Sequence, residues 1–170
     1  MRELLIALQD IPAEGRQYTV SDQELWRGLW KEFELGLTPG RDIEADVHLL
    51  PQGDGCLVRG TLRGSVNIPC DRCAEPFEHA VDLAFEEFET VDKEGDEPSN
   101  LVVEDGVTKL NLGSFLWELF ALDLPIHPTC AENCKGLCPG CGVNLNETDC
   151  DCDREDGDAR LAVFRNLKLS

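Results

Sequence analysis

The chain has 170 residues, 42% of them hydrophobic, and carries 15 Lys+Arg against 34 Asp+Glu, a formal net charge of −19. This composition excludes global disorder and suits one domain, or one domain with a small metal-stapled appendage. A field of that sign repels phosphate backbones and attracts basic partners, so direct non-specific RNA binding is disfavoured.

No segment approaches the ~20 apolar residues that span a bilayer, so no membrane association is expected. The apolar run over residues 4–8 is too short for a secretion signal. The nine cysteines are therefore expected in a reducing cytoplasm, where clustered thiols favour metal over disulfides. Their odd number also argues against a complete intrachain disulfide set.

In chain order, residues 4–8 read as a short strand ended by Ile11-Pro12. Residues 18–40 stay open: Leu25, Trp26, Leu29 and Phe33 fit a helical spacing, whereas Leu35 and Leu37 alternate like a strand. Ile43, Ala45, Val47 and Leu49 alternate with polar residues, the period of a half-buried strand. Residues 51–55 form a turn. Val58, Leu62, Val66 and Ile68 then share one face of a long strand, and Gly60 and Gly64 on that face imply close approach by another element. The opposite face carries Arg59, Thr61, Arg63, Ser65 and Asn67. A third strand runs over 77–91 with Val81, Leu83 and Phe85 on one side, and a phase slip before Phe88 suggests a bulge. Three such strands on short links predict an antiparallel meander.

Residues 92–100 read as an acidic linker. Asn111 is the expected N-cap of a helix whose Leu112, Phe115, Leu116, Leu119 and Phe120 form an apolar stripe that packs on the sheet. Pro125 and Pro128 end it, and residues 158–167 read as a short closing helix. No internal repeat is evident. The expected fold is α+β: an antiparallel β-meander packed by an amphipathic helix (1–123), followed by a small cysteine-rich, zinc-knuckle segment (124–170).

The cysteines carry the chemistry. Zinc takes four soft ligands in a tetrahedron, and closely spaced pairs supply two each with little loop-closure cost. Cys138-Pro-Gly-Cys141-Gly142 is the most specific piece, and Cys150 and Cys152 point to one side of an extended chain. The first-choice site is Cys138, Cys141, Cys150 and Cys152. Cys130 and Cys134 offer a pair that replaces either of these, or that joins Cys70 and Cys73 in a second site. Cys70-Asp-Arg-Cys73 also fits a redox pair, or two cysteines that merely line a turn. Cys56 reads as a small buried residue. The expected cofactor is one or two structural zinc ions, with an iron–sulfur cluster as the competing occupant. Each tetrathiolate zinc site adds a further −2, taking the net charge to −21 or −23.

No catalytic constellation stands out. His48, His79 and His127 are scattered, and His127 is read as a surface or capping residue. Carboxylates are too numerous for any pair to be singled out, and no nucleophile-elbow, phosphate-loop or zinc-protease motif occurs. Arg59, Arg63 and Arg72 make one small basic patch without the interleaved aromatics of single-strand readers.

Cys70-Asp-Arg-Cys73-Ala-Glu-Pro-Phe77 after a polar-faced strand resembles a segment of the YceD family, the large ribosomal RNA subunit accumulation proteins. Leu124-Pro125-Ile126-His127-Pro128 and the cysteine run from Cys134 to Cys152 resemble that family's cysteine-rich branch. Asp158-Ala159-Arg160-Leu161-Ala162 resembles its closing segment, with alanine where proline is usual. The resemblance runs from about residue 40 to the C-terminus. It implies a non-enzymatic part in large-subunit biogenesis that supports 23S rRNA accumulation. Some members lack the late cysteines, so metal is not essential to the family's shared role. Charge favours a basic ribosomal protein or pre-ribosomal particle as partner, with rRNA contact indirect. A direct RNA-binding zinc protein and a thiol redox sensor are the competing readings.

Overall fold

The computed structural model describes residues 4–32, 36–91 and 99–152. Phe33 and Leu35, most of the linker expected over 92–100 and all of the helix expected over 158–167 lie outside these residues. The elements are β1 (Leu5–Ala7), a 3-10 turn (Leu8–Asp10), β2 (Arg16–Val20), α1 (Gln23–Glu32), β3 (Thr38–Pro39), β4 (Glu44–Gln52), β5 (Gly55–Pro69), β6 (Pro76–Thr90), β7 (Leu101–Glu104), β8 (Val107–Asn111) and α2 (Leu112–Asp123). The fold is α+β, as the patterning predicts.

Two antiparallel sheets form. The larger runs β2-β4-β5-β6, with the two-residue β3 continuing β4's side of β5. The smaller runs β1-β8-β7. The predicted meander is β4-β5-β6. Its close approach is real: a Cβ on Gly60 would collide with the Asp46 carbonyl oxygen, and one on Gly64 would lie 2.8 Å from Ile43 Cα. The expected bulge is absent. Register between β5 and β6 is unbroken from Gly55↔Thr90 to Pro69↔Pro76. Phe88 breaks the apolar phase because it belongs to the outer face, where it leans over Gly55.

The open segment 18–40 resolves into strand, helix and strand. Asp22 Oδ1 accepts from the Glu24 amide and starts α1. The Gln23 side chain then pairs reciprocally with the Ile43 backbone, donating at 2.8 Å and accepting at 3.1 Å, as a neighbouring strand would. Leu25, Trp26, Leu29 and Trp30 are buried on one face of the helix. β7 and β8, which periodicity did not single out, form a hairpin around Asp105-Gly106, both at positive φ (52° and 77°). An Asp-Gly pair between alternating apolar residues is the signal that finds it.

Asn111 caps α2, its side chain accepting from the Ser114 amide at 3.1 Å. The stripe then enters the core: Leu112, Phe115, Leu116 and Phe120 are buried with Val47, Val58, Leu62 and Val66. Phe120 sits among Trp26, Trp30 and Trp117, with ring centroids 5.5–6.2 Å away. Cys56 is buried in this core, and burial raises its thiol pKa. No helix among the described residues is long and apolar enough to cross a membrane.

Candidate metal centres

β5 and β6 are joined by a turn that places Cys70 and Cys73 at the end of their hairpin. Beyond α2, the chain returns to this turn. The Asp71 amide donates to the Pro128 carbonyl at 2.8 Å, and the Leu137 amide donates to the Arg72 carbonyl at 2.9 Å. Arg72 Nη1 donates to the carbonyls of Glu132 and Cys134, both at 3.2 Å. The sheet turn and the tail are thus stitched together through backbone groups and the Arg72 side chain.

This stitching sorts eight cysteines into two sets, Cys70, Cys73, Cys130 and Cys134, and Cys138, Cys141, Cys150 and Cys152. In each set all sulfurs lie within 4.8 Å of one another. The first set draws half its members from the sheet and half from the tail, and only Cys130 of its four is exposed. The second lies wholly within the tail and is more open.

The two sets share a local turn. Ala74 and Gly142 follow their CxxC pairs at positive φ (61° and 74°). Each donates its amide to the first cysteine's carbonyl, Ala74 to Cys70 and Gly142 to Cys138, both at 2.8 Å. In each, the residue before the second cysteine donates its amide to the first sulfur, Arg72 to Cys70 and Gly140 to Cys138, both at 3.4 Å. Where no internal repeat was expected, a five-residue knuckle occurs twice. The second continues as a small hairpin, the Cys138 amide bonding the Val143 carbonyl. Gly136 lets it approach the first: at φ 76°, a Cβ there would lie 2.9 Å from the Arg72 carbonyl oxygen.

The sulfur geometry fits a tetrahedral ion. A metal–sulfur bond of ~2.3 Å gives a tetrahedron edge of ~3.8 Å. Cys73 and Cys130 sulfurs are 3.8 Å apart, and Cys70 and Cys134 are 3.9 Å apart. Donors already face these sulfurs: the Cys130 amide approaches Cys70 Sγ at 3.4 Å and Asn146 Nδ2 approaches Cys134 Sγ at 3.3 Å. Asn146 is a functional residue that spacing alone did not reveal. Its Oδ1 also accepts from the Lys135 amide, which fixes its side chain over the cluster.

The thiols within each set do not ionise alike. Burial opposes ionisation of Cys70, but amides of Cys130, Cys73 and Arg72 outweigh it and bring the thiol down to about 6. The Cys141 amide, helped by the Cys150 thiol and the Gly140 amide, brings Cys138 down to about 6. Asn146 lowers Cys134. Their neighbours move the other way: Cys130 is pushed up to about 12, chiefly by Cys134, and Cys152 to about 12, chiefly by Cys141. Four adjacent thiols cannot all hold negative charge without a cation among them, and each set could hold a soft dication that would supply it.

The arginine patch is differently employed. Arg63 Nε pairs with Asp82 at 3.2 Å, and Arg72 is spent on carbonyls of the tail. Arg59 sits between His48 and Glu86 across the sheet. His127 is exposed and its Nδ1 lies 3.5 Å from Asp71, outside both cysteine sets.

The family of large ribosomal RNA subunit accumulation proteins, YceD, matches residues 58–168. An uncharacterized protein of Mycobacterium tuberculosis is 31% identical over 117 residues, covering 65% of this chain and 55% of the relative. The chloroplastic YCED homolog 1 of Arabidopsis thaliana is 25% identical over 159 residues (76% and 49%), and that of Zea mays 26% over 148 (69% and 50%). The chain therefore spans about half the length of the curated relatives it matches. No solved structure matches it. The family match covers more than half of the chain and takes in both knuckles, most of β5, all of β6 and α2: the chain belongs to the YceD family of large ribosomal RNA subunit accumulation proteins.

Proposed function

We propose that this protein is a non-enzymatic factor of large ribosomal subunit biogenesis that acts in the cytoplasm by binding a basic ribosomal protein or assembly intermediate. The observation that carries the reading is its charge: a chain of −19 in which Arg41, before β4, and Arg63 of β5 lie against Glu78 and Asp82. Such a surface attracts cationic proteins over a Debye length and turns RNA away. The family name supports the ribosomal context. Each cysteine set holds one zinc ion, whose role is to charge-neutralise the thiolates and hold the tail rigid against the sheet. With four sulfur ligands there is no open position for a substrate, so the ions are structural.

Affinity purification with and without nuclease, with metal analysis of the same sample, tests this. Recovery of a basic ribosomal protein after nuclease, with two zinc ions per chain, is expected. Recovery of deproteinised rRNA at physiological salt and no basic protein overturns it in favour of direct RNA binding. Reversible Cys70–Cys73 oxidation with loss of function on Cys70→Ser alone, at intact metal content in the second set, favours a thiol switch.

A further inference from the structure

β6 is 15 residues long, and among the described residues only β5 pairs with it. Among the described residues no strand covers its second edge, which presents a long row of backbone donors and acceptors, with Ser99 Oγ donating to the Thr90 carbonyl at its end. Proteins usually blunt such an edge with a bulge, an internal proline, lysines or brevity. β6 has none of these: its register is unbroken, its sole proline is residue 76, and it contains no lysine or arginine. What it carries instead is acid.

The acids are placed periodically. Glu78, Asp82 and Glu86 fall on the outer face, four residues or about 13 Å apart, and all three are exposed. Between them stand Ala80 and Ala84, whose short side chains leave room for long ones to lie across the edge. On the inner face Leu83 and Phe85 remain half-buried, Phe85 resting edge-on against Phe115 at 5.7 Å. The strand thus offers carboxylates along its outer face, and on the inner face the half-buried Leu83 and Phe85 followed by Glu87 and Glu89. Arg41 and Arg63 touch Glu78 and Asp82 from the β5 side, and these carboxylates are still more than half exposed. A carboxylate accepts from two directions, so a second cation can approach from the free edge.

We infer that the free edge of β6 is a docking site for an extended basic segment of a partner protein, which adds as a further strand with Lys or Arg facing Glu78, Asp82 and Glu86 and apolar residues covering Leu83 and Phe85. The backbone ladder supplies affinity and the alternation supplies specificity. The same acids repel a second β6, so the edge rejects self-pairing while accepting a cationic strand. This rests on the basic-partner reading above and gives it a place on the molecule.

The test uses a labelled eleven-residue peptide with arginine at its second, sixth and tenth positions and valine or threonine elsewhere. Two further versions carry backbone N-methyl groups at alternate residues, in opposite phases. Fluorescence anisotropy at physiological salt is expected to show binding of the parent and of one N-methylated phase, and none of the other. The double variant Asp82→Lys/Glu86→Lys is expected to weaken binding about tenfold, and Asp82→Asn/Glu86→Gln less. Amide exchange is expected to show new protection at every second residue of β6. Equal binding of both N-methylated phases, protection elsewhere, or no binding overturns the inference. Circular dichroism and metal content matching the parent protein establish that the variants are folded. If the charge-reversed variant still recovers a basic ribosomal protein from cells as the parent does, the edge assignment fails while the partner class stands. If neither recovers one, the partner reading itself fails.

Discussion

Ala74 and Gly142 occupy equivalent places after the two CxxC turns, and exchanging their chemistry tests whether the knuckles are the same device. Both sit in the left-handed region, at φ 61° and 74°. That conformation costs an L-residue about 1–2 kcal/mol, whereas glycine loses about 0.5–1 kcal/mol more backbone entropy on folding. Side-chain effects nearly vanish: Ala74 is exposed, and a Cβ on Gly142 meets nothing within 4 Å. Ala74→Gly is therefore expected to stabilise its knuckle by about 0.5–1 kcal/mol, and Gly142→Ala to destabilise the other by a similar amount. In a competition between the zinc-loaded protein and a chromophoric chelator, this is a shift of about two- to fivefold in retention, in opposite directions. A shift of both variants in the same direction would refute the equivalence.

Other perturbations separate the sets and the core. Cys152→Ser and Cys130→Ser are each expected to lower the zinc content from two ions to one, read by metal analysis. Only Cys130→Ser also opens the tail to limited proteolysis, because only that set is anchored to the sheet. Phe120→Ala empties a fully buried site among three tryptophans and is expected to cost about 3–5 kcal/mol in urea unfolding. Burial holds the Glu89 carboxyl above its ordinary value, so ionising it works against the fold. The native state is favoured by that group at acid pH, and the benefit is lost as pH rises through its folded value. Glu89→Gln is expected to raise the urea midpoint at pH 7 and leave it nearly unchanged at pH 4.

The meander was legible because half-burial imposes strict alternation on Ile43 to Leu49 and on the run from Val58 to Ile68. The cysteine pairs were legible because metal ligation needs close spacing, and their grouping in space is one that spacing had allowed. Residues 18–40 were not legible, since a ten-residue helix and a two-residue strand leave too few periods to separate. Phe88 misled because an exposed aromatic interrupts the apolar phase in the same way as an inserted residue. Asn146 and Arg72 owe their roles to contacts 12 and 60 or more residues away in the chain, which no local pattern encodes.

The two cysteine sets also differ in when they can assemble. The second closes between cysteines at most 14 positions apart, whereas the first joins sulfurs 57 and 64 positions apart. Closing the longer loop in an unfolded chain costs about 1 kcal/mol more, and the intervening strands and α2 must already be in place for its sulfurs to meet. An ion in the second set says nothing about the rest of the molecule. An ion in the first is a receipt for finished tertiary structure, so chains that have misfolded upstream would be marked by half-loading with metal.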